Sequence, residues 1–220
     1  MHLLTRIRLA PSLLLLLAAS ASPLLALADS TASRTWDFRV FLDDKEIGTH
    51  RFDLVEQGAE RQLTSQARMA VKILFVTAYA YDHHDVEAWS GDCVARLSSK
   101  TDDNGKQHHV DLKRGDRETV VQTERGTQQL AECILTFAYW NPAMLQQTQL
   151  LNSQDGEYID VKITAAGDDP IVVRGVKTPA RRFELRSKQL SIDLWYSPQG
   201  DWLALQSKTE RGQKLIYKLK

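Results

Sequence analysis

Net charge is absent from this chain of 220 residues: 28 Lys and Arg balance 28 Asp and Glu. Such a chain has no general field for nucleic acid, and no nucleic-acid partner is expected. Cysteine is scarce, with only Cys93 and Cys133. Beyond residue 28 no apolar run reaches the roughly 18 residues of a spanning helix. Catalytic signatures are missing as well. There is no Gly-x-Ser-x-Gly, no His-Glu-x-x-His, no phosphate-cradling glycine loop and no dinucleotide fingerprint. The motif-bearing hydrolases, NTPases and dehydrogenases are thereby set aside, and no cofactor is expected.

The N-terminus carries an address. Arg6 and Arg8 precede an apolar stretch, Leu9 to Leu27, and Ala26-Leu27-Ala28 is a small-x-small cleavage signal. Residues 1–28 therefore read as a signal peptide, with the mature chain starting at Asp29. An uncleaved anchor is the alternative, opposed by Pro11, Pro23 and the cleavage site. The expected location is the periplasm, with no transmembrane segment left after cleavage. Removal takes two bases and no acids, leaving a net charge of −2 (26 against 28). Residues 29–220 fit one domain. In an oxidising compartment Cys93 and Cys133 read as one disulfide; two buried, unconnected thiols are the alternative.

The chain then reads as strands. Trp36, Phe38 and Val40 alternate with Asp37 and Arg39, and Leu190, Ile192 and Leu194 alternate with Ser191 and Asp193. That period of two marks antiparallel sheet with one dry face. Turns punctuate it, Asp102-Asp103-Asn104-Gly105 most strongly, since Asn-Gly supplies the positive φ angles of a tight hairpin. Between Cys133 and Leu151 the rhythm breaks. Asn141 followed by Pro142 predicts a short helical insert over 142–147, capped by Asn141. The expected fold is all-β: an antiparallel coiled β-roll or partly open β-barrel of about 10–12 strands with one short helical insert.

Several fragments together resemble a known family. They are the secretion signal, Leu-Asp-Asp-Lys-Glu-Ile-Gly at 42–48, Asp85 to Trp89 ahead of Cys93, the 102–105 turn, Trp140-Asn141-Pro142, and Leu194 through Trp202. In this order they resemble the bacterial exported family domain of unknown function 6134. The tail is distantly similar to domain of unknown function 3108, whose members form a coiled β-roll. The resemblance implies fold and export; it assigns no activity.

Two regions hold candidate chemistry. Asp82-His83-His84-Asp85 is the cluster most like metal ligands, with His108, His109 and His50 as possible additions. His83 and His84 point to opposite faces of a strand, so exposed strand-end histidines are the expected account, with no metal. The basic series Lys177, Arg181, Arg182, Arg186 and Lys188 reads as a solvated outer face, with contact to an anionic surface such as lipid phosphates as the alternative. The second region is apolar. Leu74–Tyr81 and Leu190–Tyr196 are apolar on both faces, which a sheet wet on one side does not require. The segment Trp140–Leu151 is the expected cover, either a plug or a lid over a ligand. The expected apolar ligand site comprises Tyr79, Tyr81, Trp140, Met144, Leu145 and Trp195. The function expected is a non-enzymatic binding protein for an apolar small molecule or an envelope component. The alternatives are an envelope enzyme using the Asp82-His83-His84-Asp85 region and a structural or assembly factor.

Overall fold

The computed structural model describes residues 31–73, 76–209 and 211–220. The signal peptide expected over residues 1–28 and its expected cleavage point lie outside the described residues, as do Leu74 and Phe75. The first eight strands form a continuous meander: β1 (Thr31–Leu42), β2 (Lys45–Gln57), β3 (Glu60–Ile73), β4 (Val76–Ser90), β5 (Cys93–Asp103), β6 (Lys106–Arg114), β7 (Glu118–Thr123) and β8 (Gly126–Ala131). A 3-10 helix follows at Pro142–Gln146, then two short ribbons and a last set of long strands. The ribbons pair β9 (Gln149–Leu151) with β10 (Tyr158–Asp160), and β12 (Ile171–Val173) with β13 (Val176–Thr178). The remaining strands are β11 (Lys162–Asp168), β14 (Arg181–Arg186), β15 (Ser191–Tyr196), β16 (Trp202–Lys208) and β17 (Lys214–Leu219).

Thirteen strands make one antiparallel sheet, in the order β11-β14-β15-β16-β17 followed by β1 through β8. Pairing of β17 with β1 joins the end of the chain to its beginning. The sheet is open, with β11 and β8 at its edges. All-β architecture and partial closure are as expected. The strand count is higher than the 10–12 read from the sequence, because three-residue strands such as β9, β10, β12 and β13 are too short to show a period.

One face of the sheet is the core. Trp36, Phe38 and Val40 of β1, Leu185 of β14, Leu194 of β15 and Trp202 of β16 are all buried. The sheet coils tightly near Gly48, where a Cβ would lie 1.9 Å from the Arg68 carbonyl oxygen. Only glycine permits that approach. The 102–105 turn forms as expected, with φ of 54° at Asn104 and 91° at Gly105.

The chain leaves β8 and turns inward. Cys133 is bonded to Cys93, with Cα atoms 5.1 Å apart, and the Val94 amide donates to the Ile134 carbonyl beside it. Ile134, Leu135, Trp140, Met144, Leu150 and Leu151 are all buried in the main core. Asn141 caps the 3-10 helix by accepting from the Ala143 amide at 3.1 Å. The segment thus fills the roll as a plug, and Met144 is completely buried.

Candidate functional site

Strand register stacks the inward residues of β2, β3, β4 and β5 in layers. At the mouth lie Gly48, Met69, Tyr81 and Asp103. Below them come His50, Ala67, His83 and Thr101; then Phe52, Ser65, Asp85 and Ser99; then Leu54, Leu63, Glu87 and Leu97. The inward side of β4 is therefore a polar ladder, His83, Asp85 and Glu87, set between Tyr81 and Trp89. All three polar rungs are buried, each at most 3% exposed. Burying such groups is costly unless they are bonded to one another.

Most of them are. His83 Nδ1 lies 2.8 Å from Thr101 Oγ1, and Nε2 lies 3.2 Å from Asp85 Oδ2. The Thr101 hydroxyl donates its one proton to the Gln154 carbonyl. Nδ1 of His83 is then placed to donate to Thr101, and Nε2 faces the Asp85 carboxyl. Ser99 donates to the Ser153 carbonyl, so two hydroxyls of β5 hold the 153–154 loop inside the roll. Trp89 Nε1 donates to Glu87 Oε2 at 2.8 Å. Burial, with the adjacent Asp85 adding to it, pushes the Glu87 carboxyl up to about 8. The shift favours its protonated, uncharged form. Among the described residues Asp85 Oδ1 has no hydrogen-bond partner.

Across the small Ala67, His50 faces the same interior. Its Nε2 lies 2.9 Å from Ser65 Oγ and its Nδ1 3.3 Å from the Tyr217 hydroxyl. Burial, and then the proximity of His83, hold its pKa well below 6.5. Above it opens a cleft of about 680 Å³, walled by β2, β3, β4 and β17. Its walls are mainly apolar, with Ile47, Met69, Val71, Tyr81 and Leu215, and His50 lies against it. Tyr79 stands at the rim and donates to Asp103 Oδ1 at 2.7 Å. Tyr81 stacks on the His83 ring, 6.2 Å between centroids. Burial raises the Tyr81 and Tyr217 hydroxyls above their ordinary range, so both stay protonated as donors.

A family model described as "Domain of unknown function (DUF6134)" matches residues 38–220. The chain belongs to this family. Among solved structures, the DUF6134 chain is similar to one titled as a beta-barrel-like protein of domain of unknown function DUF1849 from Brucella abortus. The TM-score is 0.64 at 11% identity, over 84% of this chain and 94% of that one. At that identity the likeness speaks for the fold alone. No curated protein matches.

The six residues expected to form one apolar site in this DUF6134 member lie in separate places. Tyr79 and Tyr81 line the mouth cleft. Trp140 packs edge-on against Trp89 at 5.3 Å, under the Arg61 guanidinium, and Met144 is deep in the core. Leu145 borders another cavity of about 510 Å³ beside Phe183 and Tyr196. Trp195 faces outward, where its Nε1 donates to Asp169 at 2.9 Å. The outer face of β15 is thus covered by the 168–170 turn and not by Trp140–Leu151. The plug lies against the opposite, inward face.

The histidine reading needs correction. His83 is neither exposed nor at a strand end; it sits mid-strand in the core. His84 and His109 are exposed, and His108 bonds Glu124 at 2.7 Å. Among the described residues no group of three or more His, Cys, Asp or Glu is placed to hold a metal ion. Asp85 was singled out only as a candidate metal ligand, and Glu87, with Ser65, Ser99 and Thr101, escaped the sequence reading, because both phases of Asp82–Ala88 contain polar residues. Tyr81 and Trp89 share the phase of Asp85 and Glu87, and that was the available signal. The three arginines of the basic series form ion pairs: Arg182 and Arg186 both meet Glu184 and Asp193, and Arg181 meets Asp168.

Proposed function

We propose that the protein is an exported, periplasmic binding protein that takes an apolar small molecule into the mouth cleft. The observation that carries this reading is the cleft itself. It has about 680 Å³ of space with mainly apolar walls, within the usual range for small-molecule sites. Tyr79 is 36% exposed at its rim, and Val76 nearby on β4 is 69% exposed. Exposed apolar groups of this kind mark places where something else docks. The His50, Tyr81 and Tyr217 side chains offer hydrogen bonds at the cleft, and of the two charged residues that line it, Asp103 and Arg211, Asp103 is bonded to Tyr79. A single polar group on an otherwise apolar ligand suits that surrounding. The disulfide agrees with an oxidising compartment.

The test is native mass spectrometry on protein recovered from its own envelope without refolding. The expected result is a bound apolar molecule, lost in Ala78→Trp. Ala78 is exposed and lines the cleft, so the indole fills the space with little strain on the core. Recovery of ligand-free wild-type protein, or equal loading of Ala78→Trp, contradicts the proposal.

A further inference from the structure

The outward face of the sheet holds a second concavity, a groove of about 1080 Å³ spanning β3 to β7. Register sets its floor. Gln62, Ala88, Arg96, Lys113 and Val120 form one outward row across five strands. In the next row Val86 is paired with Ser98, and Ser98 with Asp111. Arg96 and Lys113 are thus direct cross-strand partners. Like charges in that position destabilise a sheet.

Among the described residues no carboxylate is bonded to Arg96 or Lys113. Both side chains are exposed, and among the described residues neither forms an ion pair. Arg114 and Arg117 bring two more cations to the groove, and Arg114 reaches only the Ser90 carbonyl, at 3.4 Å. Asp111, Asp116 and Glu118 line it too, yet none is ion-paired with these cations. Between the charges, Val86, Ala88 and Val120 are half-buried and apolar. The contrast with β14 and β15 is plain, because there every arginine of the outer face has a carboxylate.

We propose that this groove binds an anionic amphiphile, with its head between Arg96 and Lys113 and its apolar body on Val86, Ala88 and Val120. An anion there converts a repulsive pair into two charge-assisted hydrogen bonds, and the arginine fork suits a planar or tetrahedral oxyanion. The apolar floor distinguishes an amphiphile from a free inorganic anion.

Calorimetric titration of the mature protein with octyl phosphate, below its micelle concentration, tests the site. Saturable binding is expected, weakened at least about tenfold in Arg96→Gln/Lys113→Gln, the scale of one lost charge-assisted bond. Arg96→Lys should retain most of it. Inorganic phosphate alone and octyltrimethylammonium should each bind at least about tenfold more weakly. Ala78→Trp, which fills the separate mouth cleft, should leave octyl phosphate binding unchanged. The unliganded double variant should melt no lower than wild type, since a like-charge contact is removed. The proposal is overturned if the double variant binds octyl phosphate as wild type does. It is equally overturned if inorganic phosphate or the cationic amphiphile binds as well, or if Ala78→Trp abolishes the signal.

Discussion

Strands β4 and β15 belong to the same sheet, but β4 turns two carboxyl groups into the core while β15 turns its one outward. On β15 the inward residues Ile192, Leu194 and Tyr196 are apolar and buried. Its carboxylate, Asp193, points outward and meets Arg186 at 2.6 Å and Arg182 at 3.6 Å. On β4 the inward residues are His83, Asp85 and Glu87, and the outward ones include Val86 and Ala88. The β15 half shows that the coiled sheet closes its core with apolar side chains alone. The ladder on β4 is therefore not demanded by the architecture. Such desolvated groups persist against a cost, and here they lie just below the one mouth cleft that a ligand is proposed to enter.

The largest expected effect comes from giving β15 what β4 has. Leu194→Asp places an unpaired carboxylate in a fully buried apolar position and should cost more than about 4 kcal/mol, a large share of the roughly 5–15 kcal/mol that holds a domain folded. Urea denaturation followed by tryptophan fluorescence measures it; a folded variant of near wild-type midpoint would erase the distinction between the two halves. Next comes the staple that only the ladder half possesses. Cys93→Ser/Cys133→Ser should lose about 4 kcal/mol, the chain-entropy value for a loop of this length, read in the same denaturation series.

Asp85→Ala and Asp193→Ala make the comparison directly, with one chemical change on each side of the sheet. Removing Asp85 leaves His83 buried without its carboxylate and should cost about 3 kcal/mol. Removing Asp193 disturbs an outer network and should cost about 1 kcal/mol. Equal losses would mean that burial does not govern the difference.

The smallest effect per step is a slope. The Glu87 carboxyl is raised to about 8 from a reference of 4.5. Its contribution to stability is complete below the unfolded value and is lost as pH rises through the folded one. Wild-type stability should thus fall between about pH 5 and 7.5 relative to Glu87→Gln, by about 1.4 kcal/mol per unit. His50 acts with the opposite sign. Its pKa is depressed below 6.5, so its contribution is present above that value and lost as pH falls through the depressed one. Parallel stability–pH curves for wild type and Glu87→Gln across this range would show that Glu87 is ionised in the native fold.

How much was legible follows from the same two strands. The alternation of β15 reads directly, because one phase is apolar and the other charged. So do the Asn104–Gly105 hairpin and the Asn141 cap, which are local devices with local signatures. The β4 ladder did not read, because burial of Asp85 depends on Ser65 and Ser99 from neighbouring strands and on the 153–154 loop. The expected ligand site failed to assemble for a related reason. Trp140, Leu145 and Trp195 are all apolar enough to line a cavity, but which face each one meets depends on how the plug enters the roll.

By itself the sequence determined the all-β class, the positions of the main turns and the short capped insert, since period-two patterning and turn chemistry act over a few residues. It also named the two cysteines that pair. Only the tertiary structure decided which polar residues go inside, that the mouth of the roll stays open, and that Arg96 faces Lys113 across an outer groove. Those outcomes rest on cross-strand register and sheet curvature. A partner 16 or 17 residues away, as in His83↔Ala67 and Arg96↔Lys113, is brought into place by the whole sheet and leaves no periodic mark on its own segment.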